Sequence, residues 1–504
     1  MTANQPPEPD TVPRPGWWTE LPARLWGTLR RIGRNLPTTL ARFRTGWRQR
    51  SPFLRHFLIS LLVGLGIELL LHVMHHQLTA LQELEDMAID GLMKIGWSTG
   101  LNRPATPFVL LDIDERTYRA WGEPFHVPRD HLRQLIDYAV QGGAALVIVD
   151  IDLSQRGHDP AADQQLQDYL AHYGTTGKPP LLLARAFRPP LPDQAIRHFT
   201  ERRSFLEADP GIADSPLIHW GATLFELDQN RVLRRWRLWQ VTCDAQGQPT
   251  VVPSLQLLAV ALLAQPGADP QQVTNDLRQQ LHTVLPAACD APPVATGHDE
   301  TIAIAGLTLS ARPEGLAQRV LYKLPWRLQP GQAYPSLSGP EGSRLPLLSV
   351  FSALPMTRSD SKPVAKEAVA GRVVIIGGSF WESRDLQLTP LGLMPGALVL
   401  INAIHSLQQH GEMTPPPLYL KLLVTALLIL LISLIFTRLQ SFRAMVLASL
   451  AIIIGLLPVS YYWFKTGVWL DFVIPLCAVM LHWMAARFEE NRHTPPGGAG
   501  HRSE

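Results

Sequence analysis

Apolar runs of two lengths organise the sequence. The short ones, residues 108–114 and 145–152, are nearly unbroken stretches of Val, Leu and Ile. Each ends in an Asp-Ile-Asp triplet, Asp112-Ile113-Asp114 and Asp150-Ile151-Asp152. Continuous apolar runs of this length predict strands buried on both faces of a sheet. Between them, Leu132, Leu135, Ile136 and Ala139 recur at helical spacing within residues 129–140. Strand, helix, strand predicts a βαβ crossover, with the two strands parallel and side by side. Both triplets then fall at the carboxyl edge of one sheet, where open α/β sheets place ligands. Residues 181–184, 345–354 and 373–376 read as further strands, and residues 220–241 alternate like a hairpin turning at Asp228-Gln229-Asn230. Residues 254–264 and 396–409 read as helices and residues 265–313 as loop-rich. The predicted fold is an α/β domain with a mostly parallel sheet.

The long runs predict membrane spans. Residues 57–74 are apolar except for Glu68 and His72, and residues 422–437 and 444–464 carry no charge. Residues 472–486 form a shorter run, extended by Val468-Trp469-Leu470. A helical span needs ~20 apolar residues. The resulting map has a basic Pro/Arg-rich N-terminus (1–55), a span (56–75), a juxtamembrane helix (76–99) and the folded domain (100–411). Spans over 418–437, 444–464 and 468–486 and a tail over 487–504 complete it. Leu78, Leu81, Leu84, Met87 and Ile89 form a stripe on the juxtamembrane helix that fits either a coiled-coil seam or a face packed on the domain.

Arginine placement orients these spans. Residues 1–55 hold ten arginines and no lysine, Arg438 and Arg443 separate the second and third spans, and Arg487 and Arg492 follow the fourth. The positive-inside rule puts all three regions in the cytoplasm and the domain outside. The expected location is a bacterial inner membrane, with the domain in the periplasm. A net charge of +2 gives no argument for nucleic acid. Residues 1–16, polar and proline-rich, are expected to be disordered. Residues 17–34 put Leu21, Leu25, Leu29 and Ile32 on one face, which fits an interfacial helix or a plain topology anchor. Glu68 fits snorkelling to the outer surface or pairing with Lys421. His75-His76 reads as an interfacial feature. Cys243 and Cys289 lie where a disulfide is permitted, and geometry decides whether they bridge. Cys477 is most simply a small apolar residue.

Three blocks resemble a known family, the second type of CHASE domain (cyclase/histidine-kinase-associated sensory extracellular). The first is Asp112-x-Asp114-Glu115-x-Thr117, then Trp121-Gly122, Pro124-Phe125 and Pro128-Arg129-x-His131. The second is Gly143-Ala144 and the strand that ends at Asp150-Ile151-Asp152. The third begins at Gly371-Arg372 and takes in Gly377, Asp385, Thr389-Pro390, Gly392, Met394-Pro395-Gly396 and Asn402-Ala403. A weaker middle block is Trp220-Gly221 with Asp228, Arg231, Arg234 and Arg235. Phe125 and Leu132 depart from the residues common in that family. The resemblance spans residues 81–409 and implies an external sensory module for an unidentified stimulus. Such modules are normally coupled across the membrane to a cyclase, kinase or phosphatase domain. Residues 487–504 are too few for one, so any output is expected to come from a separate chain, or there is none.

Asp112, Asp114, Asp150, Asp152 and Asp385 are the candidate site, with Arg129. Carboxylates gathered at one sheet edge repel unless something neutralises them, which fits a Mg²⁺ or Ca²⁺ site. Arg129 and Arg384 fit ion pairing or an anionic ligand instead. Helix capping by Asp114 and loop fastening by Asp152 explain the same residues without a ligand. Gly377-Gly378 reads as a tight strand-to-loop turn, since the third glycine of a nucleotide motif is absent. No nucleophile-elbow, metalloprotease or paired zinc motif is present, and no cofactor beyond that metal is expected. The expected role is binding rather than catalysis. Expected partners are the membrane, a separate signalling or envelope protein, and a second copy of the chain. A metal-dependent hydrolase using Asp112, Asp150 and Asp385, or an envelope scaffold, are the alternatives.

Overall fold

The structure, a computed structural model, describes residues 51–74, 79–98, 107–174, 177–190, 198–244, 246–289, 301–311, 313, 315–326, 347–349, 366–439 and 441–493. Residues 1–16, expected to be disordered, the helix expected over residues 17–34, His75-His76 and the end of the tail lie outside them, as does the side chain of Glu68.

The chain opens with α1 (Pro52–Met74) and α2 (Thr79–Ser98). Then follow β1 (Phe108–Ile113), α3 (Glu115–Ala120), α4 (Arg129–Gln141), β2 (Leu146–Val149), α5 (Pro160–Ala171) and β3 (Leu181–Arg188). Next come β4 (Thr200–Arg202), β5 (Ile218–Ala222), β6 (Phe225–Leu227), β7 (Leu233–Trp236), β8 (Trp239–Cys243) and β9 (Pro249–Pro253). Two helices, α6 (Leu255–Ala264) and α7 (Pro270–Leu281), precede β10 (Thr301–Ile304), β11 (Leu307–Ser310) and β12 (Leu347–Ser349). The domain closes with β13 (Val373–Gly378), β14 (Leu386–Thr389), β15 (Gly392–Pro395) and α8 (Gly396–His410). Last are α9 (Leu418–Arg438), α10 (Ser441–Ala451), a π-helical stretch (Ile452–Leu456), α11 (Leu457–Phe464) and α12 (Val473–His493).

Two compact units result. One comprises residues 1–73, 423–451 and 475–504, the other residues 74–422 and 452–474. Among the described residues three helices are long and apolar enough to cross a membrane: Phe53–Leu71, Tyr419–Arg438 and Phe442–Phe464. The fourth expected span lies in α12, which takes in Arg487, Glu489, Glu490 and Arg492 and does not reach that apolar length.

The sheet of the second unit runs β12-β1-β13-β2-β3-β4, with β5 also paired to β3. Every pairing is parallel except β3 with β4. The expected neighbours β1 and β2 are parallel but not adjacent. β13 enters between them more than two hundred residues later, pairing Asp112 with Gly377 on one side and Val149 with Ile376 on the other. The physical reason is burial: Val373, Val374, Ile375 and Ile376 are at most 1% exposed, as only a central strand allows. Val109, Leu111, Val147, Val149, Val374 and Ile376 share one core cluster with Leu132, Leu135 and Ile136 of α4. On β13, Gly377 meets α8: a Cβ there would lie 2.5 Å from Ala397 Cβ. Its glycine therefore reflects close approach of strand and helix, not the expected tight turn, and Gly378 faces the Phe380 ring in the same way.

Two other expectations need correction. Trp220 belongs to the parallel strand β5, so the hairpin is only β6–β7, and residues 265–313 contain α7 and the β10–β11 hairpin. Asp269 caps α7, and Val273, Leu277 and Leu281 bury one face. Cys243 and Cys289 are joined in a disulfide, with Cα atoms 6.1 Å apart.

The juxtamembrane helix packs on the domain. Leu81, Ile89, Leu92 and Met93 of α2 are buried, as is the charged Asp90, while Asp86 is half-buried. Asp90 accepts from Arg234 Nη2 at 2.8 Å and Nε at 3.0 Å, and from Arg319 Nη2 at 3.2 Å. Asp86 pairs with Arg319 and, at 3.5 Å, with Arg235. Asp228 completes the set, 2.9 Å from Arg234 and 3.4 Å from Arg235. Replacing Gly377 by Ala tests the close packing of β13 on α8. Overpacking should lower the stability of the full-length protein by about 1–3 kcal/mol in thermal unfolding. An unchanged midpoint would show that α8 can yield there.

Candidate functional site

The carboxyl edge is open between β13, β2 and the loops around them. A cleft of about 900 Å³ lies there, lined among others by Tyr118, Phe125, Arg129, Asp150, Trp381 and Asp385. Phe125 is 93% and Trp381 72% exposed, so two large rings stand at its rim. Tyr118 and Phe380 stack with ring centroids 4.4 Å apart, and Trp121 stacks on His131 at 4.7 Å, which fixes the loops behind them. Arg384 sits in the cleft wall with a left-handed backbone, φ 54°, a strained conformation for an arginine.

The aspartates separate into distinct environments. Asp150 follows β2 and lines the cleft with Asp385. Burial raises the pKa of both carboxyls, and repulsion by Asp385 raises that of Asp150 further. This pair therefore keeps a proton above the ordinary carboxylate range. The Asp385 carboxylate also lies against the first residue of α8; a Cβ on Gly396 would come within 2.3 Å of it. Gly396 N donates to the Asp385 carbonyl oxygen at 2.8 Å. A carboxylate at this end of the helix meets the positive pole of its dipole.

Asp112 is 1% exposed and stands apart, accepting from Ser379 Oγ at 2.7 Å through Oδ2. Among the described residues its Oδ1 has no hydrogen-bond partner. Burial, with some repulsion from Asp114, pushes its pKa up to about 8, against the Ser379 hydrogen bond. Asp114 caps α3, accepting from Thr117 N at 2.8 Å and Thr117 Oγ1 at 2.5 Å. Asp152 accepts from Ser154 N at 2.8 Å and lies 3.5 Å from Arg202. Arg129 is 1% exposed and holds the loop after β2, donating to the carbonyl oxygens of Asp152 at 3.3 Å and Gln155 at 3.0 Å. Burial lowers its pKa, and Asp163, 3.9 Å away, opposes that.

Of the six sequence-predicted residues, Asp150 and Asp385 line the cleft together, Arg129 and Asp152 line it too while bonding to neighbouring loops, and Asp114 caps α3. Among the described residues no three His, Cys, Asp or Glu side chains are arranged to hold a metal ion. Trp381 was not anticipated; a large aromatic in the Gly378–Asp385 loop was the only signal. The other block residues also have structural work. Asn402 accepts from Lys323 N and Leu324 N at 2.8 and 2.9 Å and donates to Leu324 O at 3.0 Å. Thr389 Oγ1 donates to Gly392 O at 2.6 Å and closes the β14–β15 turn.

A family model described as CHASE2 domain matches residues 65–437. No curated protein and no solved structure matches the chain.

The buried Asp112 predicts a pH signature. Its folded pKa lies above the unfolded value of 3.8, so the proton's contribution to stability is complete below about pH 4 and is lost as pH rises towards 8. Asp112→Asn cannot lose that proton. Thermal unfolding of variant and parent from pH 5 to pH 8 should show the variant's relative stability growing, by roughly 3–4 kcal/mol. Curves that stay parallel across this range would contradict the buried, protonated carboxyl.

Proposed function

The chain belongs to the CHASE2 domain family, a family of sensory domains, and from that premise we propose that it is a multi-pass bacterial inner-membrane sensor. Its folded domain, residues 100–411, lies in the periplasm, reads a ligand or envelope condition at the carboxyl-edge cleft, and acts through a separate signalling or envelope protein. Three apolar helices fit a membrane protein. The Cys243–Cys289 bridge and the arginines flanking those helices support the external side for the domain.

One observation carries the reading. Asp385 sits at the first residue of α8, and the last residues of the same helix pack on the turn that follows α11. A Cβ on Gly467 would lie 3.1 Å from His410 Cβ, Thr414 N donates to Gly467 O at 3.0 Å, and Trp469 N donates to Thr414 O at 2.9 Å. A helix of 15 residues, ~22 Å long, thus joins the cleft to the residues that close the apolar helix Phe442–Phe464. Filling the cleft, or changing the proton on Asp150 and Asp385, alters the charge at one end of that rod. The hydrolase alternative has no comparable observation behind it.

The test uses a cysteine at exposed Phe125 in a Cys477→Ser background, with crosslinking in the same cells. A membrane-impermeant maleimide should label it in intact spheroplasts as fully as in detergent. Crosslinking should capture a membrane or cytoplasmic protein whose yield changes when Asp150 and Asp385 are both replaced by Asn. Labelling only after lysis would remove the external placement, and a yield indifferent to the double variant would remove the cleft from signalling.

A further inference from the structure

α2 presents two faces. Around a helix of 3.6 residues per turn, Leu81, Glu85, Asp86, Ile89, Asp90, Leu92 and Met93 fall on one half and are turned into the domain. On the other half, Ala80, Leu84, Met87, Ala88, Gly91 and Ile95 form an arc of about 100° without a charge. Leu84 is 40%, Met87 58% and Ile95 43% exposed. Glu83 and Lys94, both exposed, border that arc on one side only. A water-facing helix of a folded domain does not ordinarily keep its exposed side apolar while burying its carboxylates on the other.

The position of α2 says what covers this face. Leu92, Met93 and Gly96 line one small cavity with Tyr461, Phe464 and Lys465. Phe464 ends the apolar helix Phe442–Phe464, and Lys465 begins the turn after it. Further back along α2, Glu85 accepts from Trp469 Nε1 at 2.7 Å, in that same turn. At its start, Thr79 follows the end of apolar α1 by only the four residues 75–78. A 20-residue helix standing upright would carry one end ~30 Å from the membrane. Here the start is tethered to one apolar helix and the final turns pack on the end of another. Both features fit an α2 whose axis runs along the membrane surface. Lys465, its Nζ 4.8 Å from the Tyr461 ring centroid, adds the lysine and aromatic pairing common at the headgroup level.

We infer that α2 is an interfacial helix whose Leu84–Met87–Ile95 face lies in the outer leaflet, so that the domain rests on lipid along this helix. A cooperative partner for the face is the lipid surface itself, not a second copy of the chain. The inference rests on the membrane-sensor reading above, and its test separates the two.

Nitroxide labels on Leu84→Cys, Met87→Cys and Phe125→Cys, each in a Cys477→Ser background, report collisions with oxygen, which partitions into lipid, and with a water-soluble nickel chelate. Leu65→Cys, on the exposed side of α1, is the membrane control. The full-length protein is reconstituted in vesicles of phosphatidylcholine and phosphatidylglycerol. Positions 84 and 87 should favour oxygen and meet the nickel chelate several-fold less than position 125. If position 65 behaves as lipid-exposed while 84 and 87 are as nickel-accessible as 125, the interfacial helix is wrong and the sensor reading stands. If position 65 is itself water-exposed, both fail. Dipolar broadening at 84 or 87, with both reagents excluded, would assign the face to a second copy and overturn the inference.

Discussion

The structure depends on a buried exchange of charge between a juxtamembrane helix and the domain it adjoins. Asp86 and Asp90 leave α2 on its inner side and meet Arg234, Arg235 and Arg319, with Asp228 making the charges three against three. Arg234 and Arg319 are 4% and 2% exposed, so neither could shed its partner to water without reorganising the core. Removing one member of such a buried set typically costs about 3–5 kcal/mol, because the others stay buried and uncompensated. That penalty fixes the rotation of α2 as well as its position. With the inner side determined, the outer side and its apolar arc are determined too.

A second constraint acts at the centre of the sheet. β13 can occupy the centre of the sheet only because Gly377 lets α8 approach within van der Waals range, and this brings Asp385 and Gly396 to the cleft beside Asp150. Ligand chemistry and helix packing therefore share the same few residues. The family blocks make sense in these terms. Asn402 and Gly377 hold α8, Trp121 and His131 hold the rim, and Arg234 and Arg235 hold α2. Part of the motif pattern lines the cleft itself, through Phe125, Arg129, Asp150, Asp152 and Asp385, and the rest holds the elements around it in place.

The fold class was legible because buried parallel strands are nearly pure Val, Leu and Ile, and α4, α6 and α8 carry plain helical periodicity. Strand order was not legible. A βαβ pattern fixes that two strands are parallel, but whether a later strand enters between them depends on packing hundreds of residues away. The twin Asp-Ile-Asp triplets looked equivalent for a related reason. Asp112 lies within β1 while Asp114 follows the strand and caps α3, and the insertion of β13 then separates Asp112 from Asp150. The charge network was invisible because its members come from residues 86–90, 228–235 and 319. A hint existed in Asp86 and Asp90, four apart among apolar positions of α2. The helix α7 was readable from Asp269-Pro270 and Val273, Leu277 and Leu281, yet the proline-rich sequence after it hid the signal.

The central claim is that α2, the sheet and the turn after α11 behave as one body. Native-state hydrogen exchange of the full-length protein in vesicles, followed over increasing denaturant, measures this directly. The amides of α2 should open together with those of β1 and β13, and Arg234→Gln should release α2 to open at lower denaturant than the sheet. If α2 in the unaltered protein already exchanges independently of the sheet, the domain and its juxtamembrane helix are separate, and the account is wrong.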